Sequence, residues 1–315
     1  MTELVVESCD PSSREEQIKE LFARNGQPQF AAAFDRAYRA RAAIGLRSWL
    51  GRLGDRLVMH VSVSPVRFRL GDRTVLCGVM GDLMVEEAQR DFWAPVRLLR
   101  TVVADLKKEG HFDFLLTTTT SEAEAVFKAA GYKPYGSLRR FVLPLNAAYL
   151  TFASMRGRVP RLAVSGTGAR RADASGVDAD GLWRPEPTDE YYGTRLAREE
   201  FREGTWLTIG EKAGATGSVL LSTQENPHEL NFADAFWSGG PAGLAPVSLA
   251  AARWARRQKM KRLSATILAE SRAATQLVRA GFIPRAIRST MLVQKLRAVP
   301  PADDLLLTGL SLSSW

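Results

Sequence analysis

Two segments of the sequence, 150 residues apart, connect a strand-like stretch to the start of a helix. In the later segment Gly240, Gly243 and Ala245 give the spacing Gly-x-x-Gly-x-Ala just after a stretch that ends at Trp237. A helix start offers unpaired N–H groups and a positive dipole end, and glycine lets the backbone approach an anion closely. This segment therefore predicts a diphosphate-binding loop, with a plain Gly-Pro turn as the alternative.

The earlier segment carries large side chains at the two matching positions. Trp93 stands 150 residues before Gly243, and Pro95 stands 150 residues before Ala245. An indole would crowd a diphosphate, and proline has no N–H to donate. The later segment is therefore the better candidate. The candidate anion-binding residues of both segments are Val85, Arg90, Phe92, Trp93, Ala94, Trp237, Gly239, Gly240, Gly243, Leu244 and Ala245.

Carboxylates stand near the ends of the two strands that precede these segments. Asp82 lies three residues before Val85, and Asp234 lies three residues before Trp237. A carboxylate in such a place can act as a general base that removes a proton from a nucleophile. Asp82, Glu86 and Asp234 are the candidate catalytic residues, although Glu86 and its neighbour Glu87 can equally be solvated loop charges.

Other kinds of chemistry have no support in the sequence. The two cysteines, Cys9 and Cys77, match no zinc-ligand spacing and no disulfide framework, so we expect free thiols and no metal. His60 lies in an alternating apolar stretch and is expected to be a core residue. A phosphate-binding loop with lysine and a Ser/His/Asp motif are both lacking.

The formal net charge of +9 favours anionic partners, such as a phosphorylated cofactor or an acidic carrier protein. An Arg-rich composition without functional meaning is the alternative. The basic stretch 253–262 can track phosphates, but a solvated helix face explains it as well, and we do not expect nucleic acid to be the partner. The N-terminus lacks a signal-peptide pattern and no apolar run could span a membrane, so we expect a cytoplasmic protein.

A repeat organises the chain. The stretch from Ser121 to Pro134 returns from Ser271 to Pro284 without a gap, with alanines and a glycine in register and an aromatic residue after each glycine. This distance suits two similar domains in tandem. We predict domain 1 at residues 1–150, a linker at 151–182, domain 2 at 183–298 and a C-terminal tail at 299–315.

Hydrophobic periodicity predicts the same succession of elements in both copies. Residues 14–50 are expected to be helical, followed by strands, a helix, a short buried strand, a second helix and a last strand. A strand–helix–strand crossover favours a parallel pair within a mixed sheet. The predicted fold class is α/β (α+β): in each copy a mixed central β-sheet is flanked by helices.

These motifs together resemble the GNAT superfamily of N-acyltransferases. Members use a loop of the form Gln/Arg-x-x-Gly-x-Gly/Ala to hold the pyrophosphate of acetyl-CoA. The frame from Asp82 through Arg90 to Pro95 resembles that region, as does the later strand–helix that ends in Ala-Gly-Tyr/Phe. The resemblance covers residues 55–145 well and residues 200–295 more loosely.

The resemblance implies two GNAT-like domains that use acetyl-CoA or another acyl-CoA and no metal. It also implies a tyrosine that protonates the departing thiolate, but Phe127 and Leu277 stand at the two matching positions and cannot donate a proton.

The expected activity is that of an acyltransferase, chiefly an acetyltransferase, which moves the acyl group to a primary amine of a small molecule by direct attack. Two alternatives remain open. One is a catalytically inactive GNAT-like binding or scaffold protein, and the other is a transferase whose donor is an acyl carrier protein or an aminoacyl-tRNA.

Overall fold

The computed structural model describes residues 4–32, 34, 38, 40–119, 121–156, 162–168, 182–186, 188, 204–211, 214–223, 226–237 and 241–300. The predicted tail beyond residue 300, most of the predicted linker, and Gly239 and Gly240 lie outside these ranges.

The first half of the chain alternates strands and helices, with its two longest strands forming one hairpin. Its elements are β1 (Leu4–Cys9), α1 (Glu15–Arg24), α2 (Pro28–Ala32), α3 (Ala40–Ala42), β2 (Arg47–Leu53), β3 (Arg56–Leu70), β4 (Arg73–Val85), α4 (Trp93–Glu109), β5 (Phe114–Thr119), α5 (Ser121–Ala129) and β6 (Lys133–Pro144).

The second half follows a similar order. Its elements are α6 (Ala147–Arg156), β7 (Ala163–Gly168), β8 (Arg184–Pro185), β9 (Thr205–Glu211), β10 (Gly214–Thr223), β11 (Glu229–Trp237), a 3₁₀ turn (Pro241–Gly243), α7 (Leu244–Arg257), β12 (Arg262–Leu268), α8 (Arg272–Arg279) and β13 (Ile283–Lys295). Most of α6 and all of β7 fall in the stretch predicted as linker. Both belong to the folded body, since Leu150 and Ala153 of α6 are buried and β7 pairs with β9.

One sheet runs through the described part of the chain in the order β1-β2-β3-β4-β5-β13-β6-β12-β11-β10-β9-β7, with β8 paired to β3. The last strands of the two halves are exchanged: β13 lies between β5 and β6, while β6 lies between β13 and β12. The outer five strands on each side have the same internal order. This mixed sheet with flanking helices confirms the predicted fold class, while the exact domain boundaries remain predictions.

Helices cover the sheet on both faces. On the first half, α4 and α5 pack on one face through Val96, Leu99 and Phe127, and α1 packs on the opposite face through Leu21. On the second half, α6, α7 and α8 share one apolar core. A further cluster on the α1 side joins residues of both halves, including Phe68 and Trp206. The two halves therefore share buried apolar surface, which contributes favourably to folding.

None of the helices within the described ranges is both long enough and apolar enough to cross a bilayer.

Candidate functional site

The two parallel strand pairs separate before they reach the helices that follow. In the first half β4 pairs with β5 only from Cys77 to Val79, although β4 continues to Val85. In the second half β11 pairs with β12 only from Glu229 to Asn231, although β11 continues to Trp237. We call residues 80–85 with 117–119 the first wedge, and residues 232–237 with 265–268 the second wedge. Each wedge leaves backbone groups of a central strand without a parallel partner strand.

A β-bulge interrupts each central strand within its wedge. On β4 the register shifts between Gly81 and Met84, and on β11 it shifts between Phe232 and Asp234. Asp82 adopts a φ of 56°, in the left-handed region that only glycine, asparagine and aspartate visit readily. Both candidate aspartates therefore lie at a bulge, where a strand commonly redirects side chains toward a functional site.

Asp82 belongs to a buried polar network beneath α1. Its Oδ2 accepts from Arg41 Nη2 at 3.2 Å and from Ser62 Oγ at 2.9 Å, while its backbone oxygen lies 3.0 Å from His60 Nδ1. The other ring nitrogen of His60 lies 3.0 Å from Ser48 Oγ. The side chains around the bulge thus hold Asp82 in its unusual backbone conformation.

The charges in this network stabilise Asp82 as an anion. Burial disfavours that anion, but Arg41, His60 and Ser62 together outweigh burial and place the pKa of Asp82 below its usual value. Burial also lowers the pKa of His60, with Asp82 opposing, so the imidazole is neutral near pH 7. A carboxylate with a lowered pKa that already accepts two hydrogen bonds is a weak base. This geometry favours a structural role for Asp82, in which it stabilises the bulge of β4, and the catalytic role of Asp82 stays a prediction.

Glu86 is engaged by two arginines at the end of β4. Arg24 Nε lies 3.2 Å from Glu86 Oε1, and Arg56 bonds the same oxygen. Arg90 turns back toward the strand, where it donates to the carbonyl of Val85 at 3.1 Å and to Asn25 Oδ1 at 3.2 Å. These contacts tie the end of β4 to α1.

The first elbow, which we define as residues 86–94, closes the N-terminus of α4 with its own carboxylate. Asp91 Oδ1 accepts from the backbone N–H groups of Trp93 at 2.7 Å and of Ala94 at 2.8 Å. The rings of Phe92 and Trp93 pack edge to face at 5.2 Å, and Trp93 is 62% exposed. An incoming phosphate would have to displace Asp91 and would meet its negative charge.

The second elbow, which we define as residues 238–245, treats the matching helix start differently. The 3₁₀ turn from Pro241 leads into α7, and the N-cap residue Gly243 has no side chain with which to cap the helix. Leu244 and Ala245 are buried, and Trp237 at the end of β11 is fully buried. Gly243 and Ala245 have no bulky side chains, so an anion could approach the backbone at the start of α7 closely.

Asp234 is buried at the bulge of β11. Its Oδ1 accepts from the backbone N–H of Ala235 at 2.9 Å. Upstream, Glu229 forms an ion pair with Arg140 of β6. Burial would raise the pKa of Glu229, but hydrogen bonds from Ser264 and Arg140 outweigh it, and the pKa is lowered. Glu229 therefore stabilises the junction of β6 with β11 and β12, and its lowered pKa makes it a poor general base.

The structure also gives the surroundings of the positions where the resemblance implies a tyrosine. Phe127 of α5 packs in the first-half core together with residues of α4, and Leu277 of α8 packs in the core of the second half. Both are apolar core residues. No cluster of three or more potential metal ligands occurs within the part of the chain that the structure describes.

Two arginines at these wedges were missed by the sequence analysis. Arg41 comes from the helical region before β2, and Arg184 comes from β8, beside the predicted linker. Arg184 is 4% exposed, and its guanidinium carbon lies 5.0 Å from the ring centroid of Phe236 and 5.2 Å from that of Trp237. Each lies far in sequence from the strand it contacts, so local pattern carries no signal for either contact.

Known structures share this architecture. No protein-family model matches the sequence, and the comparison with curated proteins finds no match. Among solved structures, a protein from Enterococcus faecalis V583 described as a probable N-acyltransferase aligns with a TM-score of 0.69 at 12% identity, over 94% of this chain and 73% of that one.

Two further structures extend the likeness. A GCN5-related N-acetyltransferase from Anabaena variabilis aligns with a TM-score of 0.65 at 10% identity, over 93% of this chain and 73% of that one. A tandem GNAT protein from the clavulanic acid biosynthesis pathway aligns with a TM-score of 0.55 at 14% identity, over 95% of this chain and all of that one. The chain thus has the tandem GNAT fold that the sequence motifs suggested.

Proposed function

We propose that the chain is an acyl-CoA-dependent N-acyltransferase whose second half binds the cofactor. The acyl group, acetyl being the expected one, would pass from the CoA thioester to a primary amine of a small molecule. The amine nitrogen attacks the carbonyl carbon, the carbon–sulfur bond breaks, and the amine proton leaves to a base. Fold alone does not define an activity, so the proposal depends on the second wedge and the second elbow.

The start of α7 is the observation that carries the proposal. It lies at the end of the second wedge, it has small residues at Gly243 and Ala245, and its N-cap residue is a glycine, which has no side chain that could occupy the N–H groups. A helix terminus of this kind favours a diphosphate through its N–H groups and its dipole. Gly239 and Gly240 would complete the loop, whereas Asp91 and Trp93 make the first elbow unsuited to that role.

Asp234 is the proposed general base, because it lies at the bulge of the strand that borders the second wedge. A backbone N–H group of β11 in the second wedge would orient the acyl carbonyl and polarise it. The thiolate would leave with a proton from water or from the acceptor, since Leu277 cannot supply one.

A catalytically inactive binding protein is the second candidate, favoured by the apolar residues at both tyrosine positions and by the capped first elbow. The net charge of +9 keeps an acidic acyl carrier protein open as a donor. If acylated carrier protein supports acylation and acetyl-CoA does not, the donor assignment is wrong.

Titration calorimetry with acetyl-CoA tests the cofactor proposal. We expect one binding site per chain for the unmodified protein. In the Gly243→Trp variant we expect the affinity for acetyl-CoA to fall by about 100-fold or more, because the indole fills the space a phosphate needs. Each tenfold loss of affinity corresponds to about 1.4 kcal/mol of binding free energy.

The matched control is Trp93→Gly, which removes the equivalent side chain from the first elbow and should leave the affinity unchanged. Absence of acetyl-CoA binding by the unmodified chain contradicts the enzyme proposal. Loss of binding in the Trp93 variant, but not in the Gly243 variant, would move the site to the first half.

A further inference from the structure

A short segment of the chain connects the first half to the second wedge. We call Leu182–Glu186 the strap. Arg184 and Pro185 of the strap pair with Arg69 and Phe68 of β3, and the N–H of Glu186 donates to the carbonyl of Arg67 at 2.7 Å. The strap is thus attached to the long hairpin of the first half.

The side chain of Arg184 leaves this attachment and lies against the last three residues of β11. Its Nη1 donates to the carbonyl of Ala235 at 3.4 Å, and its guanidinium contacts the rings of Phe236 and Trp237. These three residues follow the point where β12 stops pairing with β11, and they lead directly into the second elbow. A buried cation therefore lies against the end of β11, in the residues that precede the second elbow.

The aromatic rings make this position suitable for arginine. A planar guanidinium stacks on aromatic faces and is less strongly hydrated than an ammonium group, so it is the cation that tolerates burial best. Its fork of N–H groups also matches phosphate oxygens in pairs. The second elbow lacks a side-chain donor of its own at the start of the motif, since Gly240 stands where related loops have Gln or Arg.

We propose that Arg184, delivered by the strap, binds the diphosphate of the acyl-CoA at the start of α7, beside the end of the second wedge, and replaces the cation that the elbow sequence lacks. This inference rests on the proposed function. It makes the strap part of the binding site and makes cofactor affinity depend on the attachment between the two halves.

Binding of two ligands distinguishes a contact between Arg184 and the diphosphate from a merely structural role of Arg184. CoA contains the diphosphate, whereas S-acetylpantetheine has the same arm without it. We expect Arg184→Gln to weaken CoA binding by about 10- to 100-fold, the range for loss of a charge-assisted hydrogen bond, and to leave S-acetylpantetheine binding unchanged. Calorimetry measures the first ligand, and ligand-observed NMR measures the second.

Arg73→Gln is the matched control, because Arg73 is an exposed arginine stacked on Trp183 of the same strap at 4.9 Å. It should change neither affinity. Arg184→Lys keeps the charge without the fork and should show a smaller loss for CoA alone. That variant keeps the proposal testable if Arg184→Gln does not fold, because equal CoA affinity in the lysine variant would then contradict the phosphate contact.

The outcomes are distinct. Equal loss for both ligands, unchanged CoA affinity, or tighter CoA binding in Arg184→Gln each overturns the proposal for Arg184 while leaving the proposed function intact. No CoA binding by the unmodified chain overturns both.

Discussion

The two elbows follow the corresponding strands β4 and β11, and they differ at the helix start that comes next. In the first, Asp91 occupies two N–H groups of α4 and Trp93 projects toward solvent. In the second, the start of α7 carries the small residues Gly243 and Ala245, and the N-cap glycine has no side chain to cap the helix. A capping carboxylate and a bound phosphate satisfy the same N–H groups, so one excludes the other. The comparison teaches that two copies of one frame can differ at the helix start, and that only the second is compatible with the proposed anion site.

The two bulges differ in a similar way. Asp82 is held by Arg41, Ser62 and the neighbouring His60, all within the buried network of the first half. Asp234 lies at the matching bulge beside the second wedge. We infer that the first half uses its carboxylate to hold the bulge, and we propose the carboxylate of the second half as the base.

The largest effect should come from removing the cation of the buried network. Arg41→Ala leaves the Asp82 carboxylate buried without its ion-pair partner, which typically costs about 3–5 kcal/mol of unfolding free energy. Urea unfolding followed by circular dichroism measures this change. Lys128→Ala is the control, because its ion pair with Glu124 is screened by solvent and its loss should have a much smaller effect on stability.

The pH dependence sharpens this prediction. The folded-state pKa of Asp82 is depressed below its ordinary value of 3.8, so its contribution to stability is present above that pH and is lost as the pH falls through the folded-state pKa. Arg41→Ala should therefore flatten the acid limb of the stability curve below about pH 4. An acid limb identical to that of the unmodified chain would contradict the assigned network.

Local sequence predicted much of the frame for identifiable physical reasons. Gly131 and Gly281, which anchor the repeat, adopt φ values of 101° and 91°, and such angles strongly favour glycine. The stretch 47–50, expected to be helical, instead begins β2, because Trp49 and Leu50 are buried on opposite faces of the sheet. Because Trp49 and Leu50 are adjacent and face two different cores, β2 lacks the apolar–polar alternation that identifies a half-buried strand.

The remaining features depend on contacts between distant parts of the chain. The exchange of β6 and β13 follows from pairing between strands about 150 residues apart, and no local pattern encodes it. The candidate aspartates could be found from their place before a helix, but their partners could not. Arg41 and Arg184 reach Asp82 and Ala235 only in the folded chain.

The next effect separates the two aspartates by function. If Asp234 is the general base, Asp234→Asn should lower kcat by about 100-fold, the lower end for loss of a general base, with little change in KM. Asp82→Asn is the matched control and should lower stability while the folded fraction keeps near-normal kcat. Steady-state kinetics with acetyl-CoA and an amine acceptor measure both. A larger loss of kcat in the Asp82 variant would reverse the comparison between the halves.

The smallest effect tests the first elbow. Asp91→Ala removes the carboxylate that satisfies the N–H groups of Trp93 and Ala94, and loss of such a cap costs about 1 kcal/mol of stability. We expect no second CoA site in this variant, because Trp93 and Pro95 still deny space and a donor at the helix start.

Calorimetric stoichiometry decides between two explanations of the closed elbow. A count of one CoA per chain in Asp91→Ala means that side-chain bulk and the missing proline N–H are sufficient to exclude the ligand. A count of two would mean that the negative charge of Asp91 alone keeps the first half empty, and the duplicated frame would then need only one substitution to regain an anion site.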